Sequence, residues 1–515
     1  MPETPTFTRN WAPKRRTGCK TCKIRHTRCD EGKPACQKCL STGRKCDGYD
    51  PVSKHSSTAA SSPGPNPISL FPNVPSREHR AFEYFLSCTA PGLAGYFSRE
   101  IFSVRVPKIG VSESPLWHIV IALSSVHEGY THGVQQLNRG TQVAQYSLGL
   151  KHYVLAVKSL QDNISSQPKN IEPVLLCCML FVCFDSLRGN YTAALTHLNS
   201  GLKILCSEKY AGRWCPSYDK IVEQFACLGL SIGVFVDSHL PDYNTLFIWR
   251  QFLSLGSDRD AEEFKTLDDA RHSINMVLND FMLHHVMSLN ADESCQYSIR
   301  HKPSIIRANL ALWNRKLDAM ILQNNPANLS SEALRGSILL KLHHATLVAA
   351  TNESRKLHIE DDELNAPFHT ILSLARSLIN ATPNLTKAKA SISFDLGLVL
   401  PLFTLISRCT IPELRREALD LLNTVPRREG LWDTEVITKI AHEVLSIEES
   451  DNRATASIDE GETGDVDVIK VHELRIYKSE EEFGEMDGAM RVDMDFVRTN
   501  RITGQKRLVT ETLLI

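Results

Sequence analysis

The sequence predicts a small six-cysteine domain, a flexible linker, and then a large, mainly α-helical domain that ends in a β-hairpin. Three observations carry this expectation. Six of the fifteen cysteines fall between positions 19 and 46, a Ser/Pro-rich stretch follows them, and apolar residues then recur at helical spacing for most of the chain. At 515 residues the chain is long enough for two to four domains. Its charge divides along the same lines. Residues 1–50 carry six Lys and six Arg against five acidic residues, a net of +7, while the whole chain sums to −1. A basic head on a mildly acidic body is what a protein shows when only the head meets a polyanion.

The longest apolar run, Val174 to Phe184, has eleven residues, too few for a bilayer core of about 30 Å. The opening Met-Pro-Glu-Thr lacks the apolar stretch of a secretory signal. An intracellular protein without membrane association is therefore expected, and in a reducing compartment paired cysteines serve as metal ligands rather than disulfides.

The first element is the cysteine block. Cys19 and Cys22 are followed by Cys29, and the same spacing returns in Cys36, Cys39 and Cys46. Each Cys-x-x-Cys pair can bring two thiolates to one tetrahedral ion from the start of a short helix, with the third cysteine returning after a loop. Six thiolates satisfy two zinc ions with four ligands each only if two of them bridge. A redox pair is excluded because no βαβ pattern surrounds either motif. The other nine cysteines, Cys177, Cys178 and Cys183 among them, read as small core hydrophobes.

From Lys14 to Arg28 there are seven Lys or Arg and no acidic residue. So small a domain has almost no apolar residues beyond Ile24 and Leu40. Bound metal must then supply the folding energy, about 10–16 kcal/mol for a structural zinc site, and the basic side chains face outward. On a helix starting near Cys19, Lys20 to Arg28 presents a positive face suited to the major groove of double-stranded DNA. Lys14, Arg15, Arg16, Lys20, Lys23 and Arg28 are expected to reach phosphate, while one or two residues read base edges. Pro13 to Arg16 also fits a nuclear import signal.

These residues resemble the fungal Zn(2)-C6 binuclear zinc-cluster DNA-binding domain. The likeness runs from Gly18 to Tyr49, through the loop Asp30-Glu31-Gly32-Lys33-Pro34-Ala35 and the close Gly43-Arg44-Lys45-Cys46-Asp47-Gly48-Tyr49. It implies that Cys19 and Cys36 bridge the two metals. It implies further that His26, four residues after the second cysteine, and its neighbour Arg25 read a CGG-type triplet. A nuclear, sequence-specific regulator of RNA polymerase II genes is the function it implies, with co-regulators or the transcription machinery as partners. The other reading is a zinc-cluster protein-interaction scaffold that reads no sequence. The head is assigned residues 14–49.

Residues 50–75, with Ser61-Ser62-Pro63-Gly64-Pro65-Asn66-Pro67, are expected to be a disordered tether. No apolar heptad follows Cys46, so the protein either binds as a monomer or forms a homodimer through its helical body.

The body, residues 76–450, is helical by periodicity. Ser114-Pro115 opens one helix, with Leu116, Ile119, Val120 and Leu123 on its inner face. Thr266 and Asp269 form a capping pair before a face of Leu267, Ala270, Ile274, Val277, Phe281 and His285. Further helices are expected to begin near Gln142, Glu172, Tyr191, Ser304, Ser331, Pro367, Ser391 and Pro412. The stretches Leu180 to Tyr191 and Pro426 to Trp432 resemble the fungal-specific regulatory domain that accompanies this cluster.

Residues 451–515 are read as an acidic segment and the hairpin. Between 448 and 495 there are sixteen acidic residues and five Lys or Arg, which suit a solvated loop or an activation surface. Val492, Met494 and Phe496 then alternate with charged residues, and Thr503-Gly504 offers a turn before Arg507 to Leu514.

No catalytic constellation is present: there is no nucleophile elbow, phosphate loop or dinucleotide fingerprint. His127 and His132 approach a zinc-protease motif but lie five apart, roughly 140° around a helix. The paired His284-His285 and His343-His344 read as surface or core residues. An enzyme is not expected.

Overall fold

In the computed structural model, the residues described are 18–49, 75–97, 99–134, 139–165, 170–233, 246, 250, 263–289, 296–324, 329–352, 362–382, 391–430, 432–456, 467–478, 490–500 and 506–514. The chain divides into two compact units, Met1–Pro72 and Asn73–Ile515. Almost all of the expected linker lies outside the described residues.

The first unit holds two short helices, α1 (Lys20–Ile24) and α2 (Gln37–Leu40), each beginning one residue after a cysteine. Its interior is made of thiols: Cys19, Cys22, Cys36 and Cys39 are buried, with Cys29, Cys46 and Tyr49 packed against them. Ile24 and Leu40 stay exposed, so the apolar side chains contribute no core.

The second unit begins with α3 (Ser76–Tyr84), α4 (Ala90–Ala94) and α5 (Val106–Gly110), joined through wider π-helical turns at Phe85–Thr89 and Glu100–Arg105. Then come α6 (Ser114–Val134), α7 (Arg139–Ser165), α8 (Glu172–Leu187), α9 (Tyr191–Tyr210) and α10 (Asp219–Gly233). The predicted inner face of α6, Leu116, Ile119, Val120 and Leu123, is fully buried. Helix α8 is buried from Pro173 to Leu187, so Cys177, Cys178 and Cys183 are core residues, and burial pushes the Cys178 thiol up to about 12. Two glycines let helices approach closely. A Cβ on Gly149 would stand 2.6 Å from Val126, and one on Gly201 would stand 2.4 Å from Phe225.

Helices α11 (Leu267–Leu289), α12 (Gln296–Gln323), α13 (Ser331–Asn352) and α14 (Asp362–Ala381) follow. The capping pair of α11 forms: Asp269 Oδ2 accepts from Thr266 N at 2.8 Å, and Thr266 Oγ1 accepts from Asp269 N at 3.2 Å. Its predicted face holds at Ala270, Ile274 and Val277 and then drifts, because Met282, Leu283 and Val286 are buried while His285 is exposed. Helices α12 and α14 start earlier than expected, with Pro303 and Pro367 inside them.

The stretch from Ser391 is a correction. It forms strand β1 (Ser391–Ser393), not a helix, and pairs in parallel with β2 (Arg427–Glu429), which pairs with β3 (Trp432–Asp433). Helices α15 (Val399–Arg408) and α16 (Pro412–Thr424) lie between β1 and β2, and α17 (Thr434–Ala456) follows β3. The short segment after β1 gathers distant parts of the body. Ser231 donates to Phe394 O at 3.1 Å, buried Arg271 pairs with buried Asp395, and Gly430 N donates to Ser393 O at 2.7 Å.

The chain closes with β4 (Asp467–Lys478), β5 (Met490–Asn500) and β6 (Lys506–Leu514), an antiparallel sheet in that order. The expected hairpin is β5–β6, with Phe496 opposite Val509 and Met494 opposite Glu511. Part of the acidic stretch read as loop is instead helix end and strand β4, which joins the hairpin as a third strand. No helix among the described residues is long and apolar enough to cross a membrane.

Candidate metal centre and nucleic-acid interface

The repeated cysteine spacing folds into two similar halves. Cys19 and Cys36 each precede a helix, and Cys22 and Cys39 each lie on its third residue. The third cysteine of each half accepts hydrogen bonds from its own first cysteine. Cys19 N donates to Cys29 Sγ at 3.5 Å, and the Cys36 N–H does the same for Cys46.

The four central sulfurs crowd together. Cys19 Sγ lies 3.6 Å from Cys36 Sγ and 3.8 Å from Cys39 Sγ, while Cys22 Sγ lies 3.7 and 3.8 Å from the same two. A tetrahedral zinc with Zn–S of about 2.3 Å requires sulfurs about 3.8 Å apart. All six thiols are free, and separations near 3.7 Å are far beyond a disulfide of about 2.05 Å. Burial pushes the Cys19, Cys36 and Cys39 thiols up. Burial raises Cys29 too, but N–H donors from Cys19 and Glu31 outweigh it and bring this thiol down to about 7. A shell whose core is thiols at tetrahedral spacing fits zinc.

The loops secure this arrangement. Asp30 accepts from Gln37 N at 2.8 Å and Lys38 N at 3.0 Å, capping α2, and those two donors hold its carboxyl below the usual range. Lys20 N donates to Gly48 O at 3.0 Å, and the Tyr49 hydroxyl donates to Gly32 O at 2.8 Å, fastening the end of the head to both halves.

Each helix ends in the same turn. Thr27 N donates to Cys22 O and His26 N to Lys23 O, with His26 left-handed at φ 52°. In the second half Arg44 N donates to Cys39 O and Gly43 N to Leu40 O, with Gly43 at φ 66°. This is the helix-ending pattern that ordinarily selects glycine. It places His26, Lys20, Lys23 and Arg28 on the exposed surface, while Arg25 is half-buried. Arg25 Nη1 donates to Thr42 Oγ1 at 3.2 Å, a contact that sequence reasoning missed although the repeat pairs these two positions. Lys14, Arg15 and Arg16 lie outside the described residues.

Among the described residues, the histidines of the body form no such centre. His127 is buried against Thr89 Oγ1 at 3.0 Å, and His344 stacks on Trp313 and contacts Leu310 O at 3.1 Å. The groups of His, Cys, Asp or Glu placed to share an ion among the described residues are Cys19, Cys22, Cys36 and Cys39, and Cys29, Asp30 and Cys36.

Residues 17–56 match the fungal Zn(2)-Cys(6) binuclear cluster domain, and residues 80–210 match the fungal specific transcription factor domain. Six cysteines of this class hold two zinc ions, so the head is able to bind two. The chain is 29% identical over 305 residues to the aspercryptin biosynthesis cluster-specific transcription regulator of Emericella nidulans, covering 52% of this chain and 47% of the relative. It is 31% identical over 198 residues to a transcription regulator of Purpureocillium lilacinum, covering 36% and 47% respectively. A Zn(2)-C6 fungal-type transcription factor of Aspergillus fumigatus is 31% identical over 121 residues, covering 22% and 32%. The chain thus spans about half the length of the first two relatives. No solved structure matches it.

Proposed function

We propose that this chain, which its two modules place among the fungal Zn(2)-Cys(6) transcription regulators, reads a CGG-type DNA sequence with the end of α1 and controls RNA polymerase II genes in the nucleus. The observation that carries this reading is the Cys22–Thr27 turn. It sets a basic surface, from Lys20 to Arg28, outside a core built of thiols alone.

In this reading Cys19, Cys22, Cys29 and Cys36 would hold one zinc and Cys19, Cys36, Cys39 and Cys46 the other. Cys46 lying against Cys19 and Cys36, and Cys29 against Cys36, support shared roles for those two, while Cys22 and Cys39, 3.8 Å apart here, would serve different ions. When bound, zinc supplies the charge and the folding energy that this shell lacks. Arg25 and His26 read base edges. Lys20, Lys23, Arg28 and, ahead of the cluster, Lys14, Arg15 and Arg16 contact phosphate. Residues 14–49 form the reader, 50–75 the tether, and 76–450 the regulatory body. That body contacts co-regulators or the transcription machinery and is the surface for any homodimer. Residues 451–515 form an acidic segment and sheet.

Competition binding of the full chain to a CGG-containing duplex and a scrambled one, across a salt series, tests this. Arg25→Ala is expected to cost about 1–3 kcal/mol on the CGG duplex and little on the other. His26→Gly, which suits the left-handed backbone, is expected to act likewise without loss of zinc. Lys20→Ala weakens both duplexes alike and lowers the salt slope by about 0.9 per lost contact. Equal losses on both duplexes for Arg25→Ala and His26→Gly would move sequence reading elsewhere. A native chain that binds both duplexes alike would leave the cluster a protein-docking module.

A further inference from the structure

Arg25 and Thr42 occupy matching places in the two halves of the head. Each lies six residues past its half's first cysteine, Cys19 or Cys36, and just before that half's left-handed residue, His26 or Gly43. They meet where the halves adjoin, with Arg25 Nη1 donating to Thr42 Oγ1 at 3.2 Å. The threonine hydroxyl is itself anchored, 2.9 Å from Lys38 O and 3.1 Å from Cys39 O at the end of α2. Its single proton goes to one of those carbonyls, so the oxygen turns a lone pair toward the guanidinium. The polarity of the contact is fixed by the backbone of the second half.

We propose that Thr42 is a positioning residue for DNA reading: it holds the Arg25 guanidinium in the orientation that meets a base edge, so that the second cysteine half orients the reader carried by the first. This rests on Arg25 being a base-reading residue. A guanidinium has five N–H donors, and a bidentate contact to guanine O6 and N7 takes two. The bond to Thr42 takes one, which leaves enough for both contacts at once. An untethered arginine must give up rotamer freedom when it docks, and a tethered one has already done so. Thr42 touches no base in this arrangement. Its effect belongs to the preference for one sequence over another, not to affinity for DNA in general.

The test is the same pair of duplexes, with the full chain and its zinc content followed by native mass spectrometry. Thr42→Val keeps the shape and removes the acceptor. It is expected to lower the preference for the CGG duplex by about 2- to 12-fold, the freedom of one long side chain, with two zinc ions retained and the salt slope unchanged. Thr42→Ser restores the acceptor and the native preference. In the Arg25→Ala background, Thr42→Val adds nothing further. If Arg25→Ala lowers the preference and Thr42→Val does not, the positioning role is overturned and base reading by Arg25 stands. If Arg25→Ala itself leaves the preference unchanged, base reading by Arg25 fails and the positioning role fails with it. Equal losses on both duplexes with departure of zinc from Thr42→Val, relieved by Thr42→Ser, would make the contact a staple of the fold and overturn the proposal.

Discussion

His26 and Gly43 share one backbone shape, at φ 52° and 66°. Glycine adopts it without a steric penalty, whereas a side chain costs roughly 1–2 kcal/mol there. His26 meets that cost in the first half where the second half has glycine, and Glu31 meets it too at φ 60°. The sequence alone placed His26 in the reading surface but gave no sign of the turn, which shows only once the two halves are superimposed residue by residue. A second histidine makes a prediction about acid stability. His127 is buried, and burial holds its pKa at about 4; His343 is half-buried, but desolvation of its covered Nε2 holds it at about 4 as well. Both folded values lie below the unfolded one of about 6.5, so the stability they carry is complete above that pH and is lost as pH falls toward 4. Asp185, raised to about 6 by burial, works the other way and is relieved in the same range. The two histidines prevail, so the thermal midpoint of the helical body is expected to fall between pH 6.5 and 4. His127→Gln should flatten that slope, by up to about 3 kcal/mol at the acid limit; circular-dichroism melts at pH 7, 5.5 and 4.5 would read it.

Among the elements, α15 shows how the body was only partly legible. Glu429 is buried, and its carboxylate accepts from Gly397 N, Leu398 N and Val399 N at 3.0, 2.8 and 3.0 Å, with Arg427 Nε at 2.6 Å. The start of α15 is thus capped by a residue from a strand thirty positions away. A Cβ on Gly397 would fall 2.1 Å from Glu429 Oε1. Glu429→Ala leaves three buried N–H groups without their acceptor and is expected to cost at least about 3 kcal/mol. Gly397→Ala should also destabilise, and a lowered urea midpoint with unchanged zinc content would confirm both. Local signals could not find this cap. They read helix from Ser391, whereas pairing with Arg427–Glu429 decides the matter. Strand β4 was hidden similarly, because its pairing with β5 is not a local signal. The hairpin β5–β6 and the helix cap at Thr266 were legible because their determinants are neighbours in sequence.

At the scale of the whole molecule, the two units draw on different sources of stability. The head has thiols for a core, while the body buries a conventional set of apolar side chains. Removing zinc with a chelator should therefore abolish DNA binding and leave most of the helical signal intact, and Cys19→Ala should do the same. A chelator that melted the body as well, read by far-ultraviolet circular dichroism, would show that the units depend on each other.

The segment around Asp395 has a consequence in time. Arg271 is buried with Asp395 as its counter-charge, and β1 has no partner before Arg427–Glu429 exists. On the ribosome, strand β1 must wait for that late stretch to pair, whereas everything that shapes the head is made by Tyr49. About 380 residues separate the two, roughly 20–75 s of synthesis. A nascent chain can take up its metal while the rest is still being translated, and a message that ends before Glu429 yields a finished cysteine head attached to an unfinished body.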